Sequence, residues 1–68
     1  MSKTLTQIGK NIRKLRNEKD WSIRHFADLL ETDSSYLGRV ERGQQNVSIK
    51  QLEKIADLFS IKVIDLFK

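Results

Sequence analysis

The stretch SIRHFADLLETDSSYLGRVERG, Ser22 to Gly43, holds two short helical patterns separated by Glu31, Thr32 and Asp33. In the first, Ile23, Phe26, Ala27 and Leu30 recur at i, i+3, i+4 and i+7, the period of one helix face, and Leu29 widens that face. Ser22 stands just before it, where a hydroxyl can accept from a backbone N–H that a helix start leaves free. Asp33 is a second capping residue, and the next pattern runs from Ser34 to Arg42 with Leu37 and Val40 as apolar anchors. At about 100° per residue, Ser34, Ser35, Gly38, Arg39 and Arg42 fall on the opposite arc. That arc is small and polar at its start and carries arginines further along. Gly43 then occupies the usual position of a helix stop.

The flanks read as helix too. Upstream, Leu5, Ile8, Ile12 and Leu15 predict a helix over about 5–19 with a buried stripe, and Lys10, Arg13, Lys14 and Arg16 occupy its remaining surface, read as solvated except near the helix ends, where contact with a polyanion is favoured. Asn17 to Asp20 ends it, and Trp21 is expected to plug the core rather than stack on a base. Downstream, Gln44, Gln45 and Asn46 form a turn, and Ser48 with Gln51 reads as a capping box. Ile49, Leu52, Ile55, Ala56 and Phe59 give the fourth helix its core face. After a break at Ser60 to Lys62, Val63, Ile64, Leu66 and Phe67 predict a short fifth helix with more apolar surface than it can bury in its own domain. Leu66 and Phe67 are expected to face inward, and Ile64, with Ile61 or Val63, to form a dimer contact. The fold class is all-α, a compact bundle of five helices.

Composition narrows the function. With 68 residues, the chain makes one domain, 1–68. A chain of this size buries only about 60% of its unfolded surface, so ideal helix packing or a partner subunit must supply stability. It has no cysteine and one histidine, His25, which leaves neither a disulfide nor a zinc ligand set. His25 reads as a surface residue near a helix cap. No apolar run is long enough to span a bilayer, and Met1 to Thr4 opens no signal-peptide core, so a soluble, cytoplasmic protein is expected. No nucleophile–base–orienter set, Gly-rich phosphate loop or metal cluster is legible, so neither enzyme activity nor a cofactor is expected. The formal net charge is +4 overall, and residues 1–20 alone carry six basic and two acidic side chains, which suits contact with a polyanion.

Two short helices joined by a tight turn, the second with a polar outer arc, have the form of a helix-turn-helix. The DNA major groove is about 12 Å wide and admits one helix, read from its N-terminal end. Ser34 and Ser35 are short donors and acceptors there. Arg39, one turn on, is long enough to form a bidentate pair with guanine O6 and N7. Free N–H groups at the two helix starts can hold phosphates.

Ser22 to Gly43, and above all residues 34–43, resembles the lambda-repressor-like, Cro/CI-type (XRE) helix-turn-helix. Ile8-Gly9 to Arg16 before it, and Asn46-Val47-Ser48-Ile49 to Leu52, Ile55-Ala56 and Leu66-Phe67 after it, extend the resemblance over about 5–67. The run 42–49 is most similar to controller proteins of restriction–modification systems. The resemblance implies a transcriptional regulator that binds double-stranded DNA at a palindromic operator as a homodimer, with no membrane and no small-molecule ligand. It places base reading on Ser34, Ser35 and Arg39. It places backbone contacts on Ile23, Tyr36, Arg42 and the turn Gln44, Gln45 and Asn46, with Arg13 of the first helix added to the phosphate contacts. It gives Glu41 a structural role close to the arginine beside it.

The chain departs from the family in places. Ile23 stands where the family favours Gln, so only its backbone N–H is expected to contact DNA. His25 stands where Glu would complete a capping box, and Glu31 and Ser60 stand where Gly is favoured. Lys62 replaces an N-cap Ser or Asp, which predicts a short last helix. A small phage-type repressor is the alternative to the controller role. A DNA-binding antitoxin that also binds a protein is another, and it would need a toxin-binding extension.

Overall fold

The structure, a computed structural model, describes residues 2–68; Met1, part of the expected domain, lies outside the described residues. Four α-helices follow one another: α1 (Lys3–Glu18), α2 (Ile23–Leu29), α3 (Ser34–Glu41) and α4 (Ile49–Leu58). The fifth expected helix is a 3-10 helix, Val63–Phe67. It is short, as expected; Lys62 offers no side-chain acceptor at its start, and the Asp65 carboxylate accepts from the Lys62 N–H at 3.0 Å. All elements among the described residues are helical.

Each α-helix begins on a side-chain cap. Ser2 Oγ accepts from Leu5 N (3.2 Å), Ser22 Oγ from His25 N (3.0 Å), Asp33 Oδ1 from Tyr36 N (2.7 Å) and Ser48 Oγ from Gln51 N (3.0 Å). The expected Ser48–Gln51 capping box is therefore half formed: Gln51 receives the cap, but its own amide Nε2 is buried without a partner. A side chain turned into the domain cannot also reach back over the helix start.

The four α-helices also end alike. After each, one residue takes a left-handed conformation: Asp20 (φ 57°), Glu31 (57°), Gly43 (73°) and Ser60 (56°). In every case its N–H, and that of the next residue, donate back into the last turn: Asp20 and Trp21 to Asn17 and Arg16, Glu31 and Thr32 to Asp28 and Ala27, Gly43 and Gln44 to Val40 and Arg39, Ser60 and Ile61 to Asp57 and Ala56. This is the Schellman arrangement, which satisfies carbonyls that a helix end would orphan. Only one of the four positions is glycine, so the other three are held left-handed against a cost of about 1–2 kcal/mol for an ordinary L-residue.

Ile8 and Ile12 of α1, Phe26, Ala27 and Leu30 around α2, Leu37 and Val40 of α3, Leu52, Ile55, Ala56 and Phe59 around α4, and Leu66 form one core. Trp21 plugs it as expected, with its ring 6.2 Å from Phe26 and 5.5 Å from Phe59. Three apolar expectations need correction. Leu29 and Ile49 are 43% and 63% exposed, since each flanks rather than continues the buried stripe of its helix. Phe67, expected inward, is 42% exposed: the 3-10 turn buries Leu66 and carries its neighbour out to solvent.

α1 and α3 approach so closely that a Cβ on Gly9 would stand 2.5 Å from the Val40 carbonyl oxygen and 2.6 Å from that of Glu41. Beside this crossing, Arg16 grips Glu41 with Nε to Oε2 at 2.7 Å and Nη2 to Oε1 at 3.1 Å, and its Nη1 donates to the Trp21 carbonyl at 2.8 Å. The reading of Arg16 as a surface arginine, and of Glu41 as partner to adjacent Arg42, is thus corrected. Glu41 faces α1, whereas Arg42, one residue on, has turned out to solvent. Midway along α1, Asn11 Nδ2 donates to the Leu66 carbonyl at 2.8 Å and ties the C-terminal turn to the bundle.

Candidate nucleic-acid interface

α3 lies with Leu37, Val40 and Glu41 inward, so its remaining arc faces solvent. A shallow concavity along that arc is lined by Ile23, Ser34, Ser35, Gly38, Arg39 and Arg42. All three expected base readers therefore come together on one surface, with Ile23 and Arg42 at its edge. A second concavity, over the α1–α3 crossing, is lined by Arg13, Arg16, Ile23, Gly38, Glu41 and Arg42. It joins Arg13 to the same face through Ile23 and Arg42. Lys10 and Lys14 lie further off, in a concavity with Arg13, Asn17 and Glu18.

The arc owes its shape to two choices in the sequence. Asp33 caps α3 with its own carboxylate, which leaves Ser34 and Ser35 to present the first turn. Gly38 gives room for Arg42 to lie back across the helix, since a Cβ there would come 3.2 Å from Arg42 Nη1. Ile23 is half-buried against the core, in keeping with a role for its N–H rather than its side chain. That N–H belongs to the first turn of α2, where helical geometry provides no acceptor.

Tyr36 is half-buried against the same core, on the flank of α3, outside both concavities. Burial pushes its phenol above the usual tyrosine value, with the positive charge of Arg39 opposing the shift, so the phenol is a neutral O–H donor at physiological pH. Among the described residues the ion pairs are Arg16–Glu41 and Asp65–Lys68, which leaves Arg13, Arg39 and Arg42 without a carboxylate partner. The face thus presents hydroxyls at the start of α3 and arginines without a carboxylate partner toward its end.

The turn 44–46 contributes more than sequence reasoning assigned to it. Gln44 Oε1 accepts from Arg42 Nε at 3.1 Å, and Gln45 Oε1 accepts from Arg39 Nε at 3.0 Å. Neither pairing was legible, because residues two and six apart meet only once the turn after α3 is known. The expected dimer residues lie elsewhere, at the C-terminal end: Ile64 is 63% exposed, and Ile61 and Val63 are half-buried. Among the described residues no cluster of three or more potential metal ligands occurs, and no helix is long and apolar enough to cross a membrane.

Comparison with known proteins agrees with this geometry. A helix-turn-helix family matches residues 12–66. The control protein C.MunI from Mycoplasma sp. is 39% identical over 62 residues, covering 90% of this chain and 84% of C.MunI. The crystal structure of the restriction–modification controller C.AhdI from Aeromonas hydrophila superposes with a TM-score of 0.85 at 41% identity, covering 93% and 96% of the two chains. That of the biofilm master regulator SinR in complex with DNA superposes with a TM-score of 0.81 at 35% identity. Some curated relatives are longer, and the chain spans about half (51%) of SinR from Bacillus subtilis. Four capped helices, a presented α3 and these relationships lead to one assignment: the chain belongs to the XRE-type helix-turn-helix family of DNA-binding transcriptional regulators, and it is similar to restriction–modification controller proteins.

Proposed function

We propose that the chain is the controller of a restriction–modification system and binds a palindromic operator as a homodimer. The observation that carries this is the match to two controllers over nearly the full length of both partners, 84% of C.MunI and 96% of C.AhdI. Each protomer places α3 in a major groove. Ser34 and Ser35 meet base edges near the helix start, and Arg39 meets a guanine one turn on. Ile23 N–H, Tyr36, Arg42, Gln44, the backbone N–H of Gln45, Asn46 and Arg13 hold the flanking phosphates. These contacts fix the register of the helix and carry most of the salt dependence.

The dimer is built from the C-terminal turn. Ile64, 63% exposed, and Phe67, 42% exposed, present large apolar side chains beside half-buried Ile61 and Val63. Apolar side chains grouped in this way are the usual mark of a contact surface. A two-fold contact there gives the two α3 helices equivalent grooves, with half-site centres about 34–36 Å apart or a multiple of that.

The test is selection of duplexes from a randomised library, followed by footprinting of the enriched sequence. Two symmetric protected half-sites are expected. Protection of one asymmetric half-site, or failure to enrich any sequence, would overturn the proposal. A methyltransferase and an endonuclease encoded beside the gene would support the controller role.

A further inference from the structure

Arg39 is exposed on α3, yet its guanidinium is held in place. Its Nε donates to Gln45 Oε1 at 3.0 Å, and Gln45 Nε2 donates in turn to the Asn46 carbonyl at 3.3 Å. These two bonds fix the sense of the amide. Arginine Nε can only donate, so the amide oxygen must face it; a backbone carbonyl can only accept, so the amide nitrogen must face that. The chain can return over α3 because Gly43, at φ 73°, reverses it, and the Gln44 N–H then donates to the carbonyl of Arg39 itself at 2.8 Å. Backbone and side chain of Arg39 are gripped together by the two residues that follow the glycine.

With Nε engaged, the free edge of the guanidinium is the one carrying Nη1 and Nη2. That edge presents two parallel N–H groups, the pattern that guanine O6 and N7 accept end-on. A long arginine otherwise loses rotamer freedom on meeting a base, and a side chain already ordered in the free protein avoids part of that cost.

We propose that Gln45 is a positioning residue for base reading: it holds Arg39 so that the Nη1–Nη2 edge meets one guanine per half-site. This rests on the reading of Arg39 as a base reader and adds to it the residue that sets its aim. Gln44 holds Arg42 in a similar way, Nε to Oε1 at 3.1 Å, but with a different consequence. A phosphate offers oxygens over a wide range of directions, so the aim of Arg42 matters little to sequence.

The experiment uses the full chain and two probes, the duplex that the wild type enriches from a randomised library and a scrambled duplex of the same composition. Affinities for both are measured for Arg39→Ala, Gln45→Ala, Gln45→Glu and the double variant Arg39→Ala/Gln45→Ala. Gln45→Ala lowers the ratio of selected to scrambled affinity about 3- to 10-fold, the scale of one freed long side chain. Gln45→Glu keeps the acceptor and keeps the ratio, while both affinities fall together from the added negative charge. In the Arg39→Ala background, Gln45→Ala changes the ratio no further. If Arg39→Ala lowers the ratio but Gln45→Ala weakens both duplexes equally, or adds its full effect to that of Arg39→Ala, Gln45 touches DNA itself and the positioning role is wrong while base reading stands. If Arg39→Ala leaves the ratio unchanged, base reading by Arg39 fails and the positioning role fails with it.

Discussion

Arg16 and Glu41 form a two-point ion pair, with 2.7 and 3.1 Å contacts, across the crossing of α1 and α3, and only 12% and 4% of their side-chain surfaces meet solvent. The arginine's remaining edge holds the Trp21 carbonyl, so one side chain fixes α3, α1 and the turn that leads into α2.

Removing one partner leaves the other charged and buried. Arg16→Met should cost about 3–5 kcal/mol, a large share of the ~3–10 kcal/mol expected of a domain this size. Arg42→Ala, at a neighbouring but exposed position, should change stability by no more than about 0.5 kcal/mol. Urea titrations of the two variants at one protein concentration check this. Equal stability for Arg16→Met and wild type would show that the pair is dispensable.

The three left-handed non-glycine residues give a prediction of opposite sign. Glu31→Gly and Ser60→Gly relieve a backbone cost of about 1–2 kcal/mol and lose part of that to the freer unfolded chain, about 0.5–1 kcal/mol. Each should raise stability by about 0.5–1 kcal/mol, read as a higher melting temperature. A fall would mean that the side chain at that turn contributes something its exposure does not reveal.

Ile64→Asp places a charge in the proposed dimer contact without a partner. The variant should stay helical, because Ile64 lies outside the buried core, and should sediment as a monomer with reduced affinity for the selected duplex. A wild type that is monomeric both free at high concentration and on DNA would remove the basis for the two-fold account.

The C-terminal turn should also respond to acid. The Lys62 N–H that the Asp65 carboxylate accepts holds that group below its usual value of 3.8, helped by the bond to Lys68. A depressed carboxylate contributes stability that is present above the unfolded value and lost as pH falls through the folded one. The window therefore lies below 3.8. An NMR titration of the Asp65 carboxyl should give a midpoint below that of an unfolded reference peptide, and a midpoint at or above the reference would show that the cap is not formed.

Much of the domain was legible because its signals are local. Ser22, Asp33 and Ser48 stand at the heads of helical periodicities, and all three accept from a first-turn N–H, although the reciprocal half of the Ser48–Gln51 box does not form. The arc of Ser34, Ser35, Arg39 and Arg42 follows from the helical period once Leu37 and Val40 point inward. What escaped depends on contacts between distant residues. Arg16 looks like its solvated neighbours Lys14 and Arg13 until α3 is brought against it, and Gln45 looks like any turn residue until Gly43 folds it back onto Arg39. Phe67 and Leu66 are equally apolar, and only the 3-10 geometry decides which is buried.

The central claim is that the exposed arc of α3 reads DNA sequence, with Arg39 as a reader. The direct measurement is a titration of the selected and scrambled duplexes at three salt concentrations for wild type and Arg39→Ala. Wild-type binding should weaken with salt at a slope of about −0.9 in log K against log salt for each neutralised phosphate. Arg39→Ala should lose about 1–3 kcal/mol on the selected duplex and much less on the scrambled one. A wild-type affinity that does not change with salt, or an unchanged ratio of the two affinities in Arg39→Ala, would contradict the account.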